Sequence, residues 1–199
     1  VSVNNGRNWQ ELTLGNGEGL AVTALAQDEN GIIYVGTGDG FYASTLHNED
    51  PTGHSNNTSG MIGTGVYKMS ITSNFSRNWA NNLSTDAAKY AFITNPNNVS
   101  FLSISSTVPP AYDNTSDWAF INTMTCVGTT LYVGTRNSGL KESKDGGNTF
   151  STITIGNNAA VNVTDLKVNS NNRIAVAYID NGGKIAISAE NNGDSFTNI

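Results

Sequence analysis

The sequence predicts an all-β fold, and three observations carry this prediction. Asn, Gly, Ser and Thr are abundant whereas Glu, Lys and Leu are scarce, which disfavours helices and favours short strands joined by tight turns. An apolar segment that ends in Tyr-Val-Gly-Thr occurs at 34–37 and again at 132–135. The pattern Ser-x-Asp-x-Gly-x-Thr-Phe occurs at 143–150 and has weaker copies elsewhere. A repeated unit of short strands therefore accounts for most of the chain.

Each repeat predicts a sheet of four strands. An alternating segment, a polar turn and a second apolar segment form the first half, and these copies begin at Val22, Ile121 and Val161. A strand led by glycine follows, and an aromatic residue then opens the fourth strand, at Trp79, Phe150 and Phe196. Short strands in which apolar and polar residues alternate, with a turn roughly every 8–12 residues, are typical of meander sheets repeated around an axis. We therefore expect a β-propeller built of four-stranded antiparallel blades.

The repeats predict a single β-propeller region over residues 1–199, with about three blades and one terminal strand. The expected units are the last strand of a preceding blade at 1–15, blades at 20–83, 119–157 and 160–199, and insertions at 47–60 and 84–118. The terminal strand is placed at Trp9–Leu14, and the longer insertion offers an additional hairpin from Tyr90–Thr94 and Val99–Ser105. Three blades cannot close a ring, and open sheet edges invite association. Further blades of the same polypeptide, or self-association, are therefore expected to complete the propeller.

The pattern at 143–150 predicts a turn between the third and fourth strands of a blade. The carboxylate of Asp145 is expected to accept backbone N–H bonds, while Ser143 or Thr149 adds a hydroxyl bond. Gly147 can adopt the positive φ that such a turn requires. Phe150 is expected to place its ring between neighbouring strands. This pattern, the Asp-box, is therefore interpreted as structural.

Two degenerate copies favour the same interpretation. The first consists of Ser2, Asn4, Gly6 and Trp9, and the second of Asn191, Gly193, Ser195 and Phe196. An amide stands in both copies where the first pattern has its carboxylate. That exchange would disable an acid, a base or a metal ligand, but an asparagine can still accept the bonds of a turn.

The Asp-box, together with the preceding Leu-Tyr-Val-Gly-Thr, resembles the BNR/Asp-box repeat proteins of the sialidase/sortilin-like β-propeller superfamily. That group includes sialidases, sortilin-type receptors, xyloglucan-degrading enzymes and many secreted bacterial proteins. The resemblance covers about three repeat units and implies a propeller, without implying one activity. A sialidase would need a triad of arginines and an Arg-Ile-Pro segment. The chain has no such segment, and its four arginines are scattered: Arg7, Arg77, Arg136 and Arg173.

Composition and charge exclude several classes of partner. Lys and Arg together number 10, are dispersed, and leave a net charge of −6, so no nucleic-acid partner is expected. No apolar stretch approaches the roughly 18 residues of a membrane-spanning helix. Cys126 stands alone in an apolar strand and is interpreted as a small buried residue. No cofactor or metal is expected, because Asp28–Gly31 lacks the remaining ligands of a calcium loop.

Functional residues are expected in the insertions and loops. Tyr112, Trp118 and Phe120 end the longer insertion and could stack on a sugar or anchor a partner. His47 and His54 lie in the shorter insertion, where a solvated loop is favoured over a metal site. Asp39, flanked by glycines, is the one weak catalytic candidate.

These features predict a non-enzymatic, secreted or cell-surface module of bacterial type that binds proteins or glycans, for example in adhesion. Whether the chain is an enzyme stays open. The first alternative is a polysaccharide-acting glycoside hydrolase whose catalytic carboxylates lie partly outside this chain. The second is a structural spacer within a larger protein.

Overall fold

The structure is a computed structural model that describes residues 1–12, 21–38, 65–71, 83–94, 99–106, 121–136, 138–189 and 195–199. Strands dominate these residues, so the all-β prediction is confirmed. The strands form three four-stranded antiparallel sheets in which consecutive strands pair. Sheet 1 contains β1 (Ala21–Gln27), β2 (Ile33–Gly38), β3 (Gly65–Ile71) and β4 (Val99–Ser106). Sheet 2 contains β5 (Ile121–Val127), β6 (Thr130–Thr135), β7 (Leu140–Ser143) and β8 (Ser151–Ile153). Sheet 3 contains β9 (Asn162–Val168), β10 (Ile174–Ile179), β11 (Gly183–Ser188) and β12 (Phe196–Asn198).

The first strand of every sheet carries a β-bulge at the same place. The unpaired residues are Thr23, Asn122 and Thr164. In sheets 1 and 2 this residue also ties its sheet to the next one. The hydroxyl of Thr23 donates to the carbonyl of Ile121, and Asn122 Nδ2 donates to the carbonyl of Val163 at 2.8 Å. The bulge thus gives sheets 1 and 2 each a polar bond to the sheet that follows.

The glycine of Tyr-Val-Gly-Thr is required by the packing between sheets. A Cβ at Gly36 would lie 2.6 Å from Ile121 Cγ2, and one at Gly134 would lie 2.5 Å from Val163 Cγ1. Real Cβ atoms do not approach other atoms so closely, so the first strand of the next sheet rests directly on glycine backbone. The repeat of this tetrapeptide therefore reflects a repeated sheet-to-sheet contact.

Most of the hydrophobic core lies at the two junctions of the sheets, and a third, small cluster of Phe92, Ile93 and Val99 lies beside sheet 1. The cluster between sheets 1 and 2 contains Tyr34, Val66, Ile121, Met124, Leu131 and Val133. The larger cluster between sheets 2 and 3 includes Tyr132, Leu140, Ile153, Val163, Leu166, Ile174, Val176 and Tyr178. A sheet of this size has no core of its own, so its stability depends on its neighbours.

The fourth strand of sheet 1 differs from the prediction. The repeat predicts that this strand opens at Trp79 and ends near Leu83, so that the first unit closes at residue 83. The structure places this strand at Val99–Ser106, where it pairs with Gly65–Ile71 along its full length. Residues 84–118 are therefore not wholly an insertion, because they contain the last strand of sheet 1. Residues 72–82, which include Trp79, lie outside the described residues.

A short helix, α1 (Asp86–Ile93), precedes this strand. The side chain of Thr85 caps it by accepting a 3.2 Å bond from the Ala88 amide, and an acidic residue occupies the first turn. The hairpin strand expected at Tyr90–Thr94 is therefore wrong. The terminal strand expected at Trp9–Leu14 is also absent from the described part of that segment, because no strand is assigned up to Leu12. The insertion at 47–60 lies outside the described residues.

Candidate functional site

The Asp-box of sheet 2 is a turn that satisfies its own polar groups. Asp145 Oδ1 accepts bonds from the amides of Asn148 and Thr149 at 3.0 and 2.9 Å, and from the Ser143 hydroxyl at 2.8 Å. Asp145 Oδ2 accepts from the Thr149 hydroxyl at 2.6 Å. The Gly147 amide donates to Ser143 Oγ at 2.8 Å, and its φ of 89° lies in the left-handed region. Ser143, Asp145, Gly147 and Thr149 thus form one closed turn, while Phe150 packs against the cluster between sheets 1 and 2.

These bonds stabilise the charged form of Asp145. They lower the pKa of the carboxyl from 3.8 to about 2, with the side-chain and backbone bonds from Thr149 as the first causes and the bond from Ser143 next. The carboxyl group is solvent-exposed, so the shift comes from the geometry of the turn rather than from burial.

This pKa shift predicts that the stability of the folded chain depends on pH, and that Asp145→Asn reduces this dependence. A lowered pKa in the folded state contributes stability above the unfolded pKa near 3.8, and that contribution disappears as the pH falls towards 2. Thermal unfolding should therefore show Asp145→Asn to be less stable than the wild type at neutral pH, with a difference that shrinks on acidification. Glu11→Gln, at an exposed position, controls for the loss of one negative charge. A difference that stays constant across this pH range would contradict the prediction.

The first degenerate box folds in the same way with an amide in place of the carboxylate. The Ser2 hydroxyl donates to Asn4 Oδ1 at 3.1 Å, and the Asn8 amide donates to the same oxygen at 3.0 Å. The Gly6 amide donates to Ser2 Oγ at 2.8 Å, as Gly147 does to its serine. The residues that flank the turn, Val1 and Gln10, bond to each other through their backbones. An uncharged side chain therefore serves this turn.

The N-terminal box is held against helix α1. The Tyr90 hydroxyl donates to the Asn8 carbonyl at 2.6 Å, and Asn4 Nδ2 donates to Asp86 Oδ2 at 3.2 Å. The aromatic residue departs from expectation, because Trp9 is 75% exposed instead of inserted between strands. Its indole N–H donates to the Gly6 carbonyl at 3.1 Å, which fixes the ring over the turn.

The third box is described only at its ends. Asn191 and Gly193 lie outside the described residues. On the described side, the Ala189 amide donates to the Ser195 carbonyl at 3.2 Å. Phe196 pairs with Ser188 and packs against the cluster between sheets 2 and 3.

Sequence reasoning missed a polar group of residues between sheets 1 and 2. Lys68 Nζ donates to the Gly146 carbonyl at 3.1 Å, which ties β3 of sheet 1 to the Asp-box of sheet 2. Tyr34 lies beneath this turn and is fully buried. Its burial, followed by the charge of Asp28, raises the pKa of the hydroxyl to about 12. Burial and Asp28 also raise the pKa of the Cys126 thiol to about 12, so this thiol is protonated and a poor nucleophile at neutral pH.

The predicted loop residues belong to segments that the structure does not describe. Asp39, His47, His54, Tyr112, Trp118 and Phe120 lie outside the described residues. Within the described ranges, no three His, Cys, Asp or Glu side chains come together in a group able to hold a metal ion. No helix in the described part of the chain is long and apolar enough to cross a membrane, as the sequence predicts.

Comparison with known proteins gives little further information. No family model matches the chain. No curated protein matches it. Among solved structures, the crystal structure of the computationally designed Ika4 protein is similar over 96% of this chain and 78% of its own. The identity is 14% and the TM-score 0.46, and a similarity of this size carries no argument about function.

Proposed function

We propose that the chain is a β-propeller segment of the BNR/Asp-box type, and that it serves as a non-enzymatic binding module. Its expected setting is the outside of a bacterial cell, where it would bind proteins or glycans in a role such as adhesion. The regular order of the three sheets is consistent with consecutive blades, because each sheet repeats the bulge in its first strand.

The observation that carries this proposal is the set of hydrogen bonds that the Asp145 carboxylate accepts. Its two carboxylate oxygens together accept four bonds from the same turn. An acid, a base or a metal ligand needs an accessible lone pair or proton at the reacting atom. The amide of Asn4 occupies the equivalent place in the N-terminal box and accepts two of the four equivalent bonds, from the Ser2 hydroxyl and the Asn8 amide. The most specific motif of the chain is therefore assigned to architecture, and ligand binding is assigned to the loops.

The proposal is tested by comparing binding with turnover. The chain should retain selected glycans or proteins on an array, and replacement of Tyr112, Trp118 and Phe120 with alanine should abolish retention. Asp145→Asn is the matched control, because it changes a residue that stabilises a turn and should leave retention of the ligand unchanged. Absence of any retained ligand would contradict the binding function and favour the spacer alternative.

The glycoside hydrolase alternative has its own outcome. It predicts release of reducing sugar from a polysaccharide, with loss of that release in Asp39→Asn. Turnover that depends on Asp39 would overturn the non-enzymatic proposal.

A further inference from the structure

Sheet 1 exposes apolar residues at positions that the other sheets bury. The register around the bulges shows which positions are equivalent. Val22 is 51% exposed and Leu25 is 65% exposed. Their equivalents in sheets 2 and 3 are 7% exposed or less and pack against the preceding sheet: Ile121, Met124, Val163 and Leu166. We call the surface formed by Val22, Leu25 and Gln27 the leading face.

Sheet 3 shows the converse on its other side. Val66 of sheet 1 and Leu140 of sheet 2 are fully buried against the sheet that follows. The equivalent residue of sheet 3 is Ile185, because it pairs with Ala177 as the others pair with their glycines. Ile185 is 48% exposed. We call the surface formed by Thr164, Asp165, Lys167, Ala177 and Ile185 the trailing face.

We propose that copies of this chain associate head to tail, with the leading face of one copy on the trailing face of another. The contact would follow the register of the junctions that already join sheets 1, 2 and 3 within the chain, with Ala177 in place of the glycine. A heterologous contact of this kind continues until a ring closes or a filament forms. The inference rests on the repeated sheets alone and does not depend on the binding function proposed above.

Polar groups at the two faces match in the same register. The Thr23 hydroxyl lies within bonding distance of the Gly36 carbonyl of its own sheet, at 3.3 Å, and also reaches the next sheet. Thr164 is the equivalent residue, and its exposed hydroxyl donates to the Ala177 carbonyl at 3.0 Å. In the association it would meet the Val22 carbonyl of a second copy, as Thr23 meets that of Ile121.

The remaining polar residues also lie at equivalent positions. Asp165 and Lys167 form an exposed ion pair at 3.2 Å on the trailing face. Gln27 is exposed on the leading face and occupies the position of Cys126, which faces the preceding sheet in sheet 2. An amide of Gln27 would therefore lie beside the ion pair and could bond to either member.

Two features make this contact weaker than the junctions within the chain. Ala177 replaces the glycine of the other sheets, so its Cβ keeps a docked sheet at a greater distance. Partial burial of the Asp165–Lys167 pair removes water from two charges. We therefore expect a reversible association that depends on protein concentration.

The test combines two variants with mass measurement. Leu25→Glu places a charge on the leading face, and Ile185→Glu places one on the trailing face. Light scattering over a wide concentration range should show the wild type rising from 21.0 kDa to at least twice that mass, and each variant remaining at the monomer mass. An equimolar mixture of the two variants should form a dimer and nothing larger, because each retains the face that the other lacks.

The mixture also shows that both variants are folded, since a misfolded variant could not complement the other. Asn171→Glu adds the same charge to the exposed turn between β9 and β10, which belongs to neither face as defined, and should associate like the wild type. A wild type that stays monomeric at every concentration would overturn the proposal. Association of Ile185→Glu by itself would also overturn it, because it would indicate contact between two leading faces.

Discussion

Replacing Gly139 with alanine is expected to destabilise the chain more than the same replacement at Gly36, Gly134 or Gly147. Gly139 has a φ of 77°, and a Cβ there would lie 1.9 Å from the Ala159 carbonyl oxygen. That oxygen belongs to the backbone, so no side-chain rotation can relieve the contact. The residue is also held on both sides, since its amide donates to the Val161 carbonyl and its own carbonyl accepts from the Thr135 amide, each at 3.0 Å.

The size of the effect follows from two costs that add. A left-handed conformation costs an ordinary residue about 1–3 kcal/mol when the structure enforces it. Overpacking by the added Cβ costs about a further 1–3 kcal/mol. On these grounds, urea denaturation should show that Gly139→Ala lowers the free energy of unfolding by about 2–6 kcal/mol.

Gly183→Ala is the matched control for this prediction. Gly183 leads β11 as Gly139 precedes β7, but a Cβ there would meet no atom within 4 Å and its φ is not in the left-handed region. Its replacement should change the free energy of unfolding by about 0.5 kcal/mol or less. Equal losses in the two variants would show that the contact with Ala159 is not what restricts position 139.

Replacing Leu140 with alanine should produce the second large effect. Leu140 is fully buried in the cluster between sheets 2 and 3, to which Val163 and Tyr178 also belong. Truncating such a side chain removes apolar contacts and leaves a cavity, which costs about 2–5 kcal/mol. Urea denaturation should therefore show a loss of that size for Leu140→Ala.

Ile185→Ala provides the comparison, because it stands at the equivalent position of sheet 3. Ile185 is 48% exposed, so its truncation removes less buried surface and should cost about 1 kcal/mol or less in a monomer. The free energy of unfolding should be measured at a low protein concentration, where association between copies does not contribute to it. Similar losses at the two positions would contradict the assignment of the trailing face as an uncovered surface.

The sequence predicted sheets 2 and 3 better than sheet 1, and the reason is physical. In sheet 2, Gly139 and the Asp-box mark both ends of the third strand, so local turn chemistry sets the strand order. In sheet 1, the third and fourth strands are separated by residues 72–98, and no local rule states which later segment returns to pair. Trp79 matched the aromatic of the repeat, but the alternating segment Val99–Ser106 makes the pairing. The Thr85 cap of helix α1 was a visible signal that the repeat pattern concealed.

The Asp-box turn was predictable because its bonds join residues within one short segment. The polar group around Tyr34 was not, because Lys68 and Gly146 are 78 residues apart in sequence and meet only when two sheets stack. The apolar character of Val22 and Leu25 was visible, but their exposure follows from the position of sheet 1 as the first of the three described sheets. Sequence repeats identify equivalent positions, and the structure shows which of them are exposed among the described residues.

The bulge residues have a consequence for how the chain opens. Because the side chains of Thr23 and Asn122 bond across both junctions, no sheet can fray without disturbing the backbone of the sheet beside it. Amide protons on the first strands should therefore exchange with solvent through shared opening events rather than sheet by sheet. The three sheets then behave as coupled units. Breaking the contacts at one junction destabilises the middle sheet, and this weakens its contacts with the sheet on its other side.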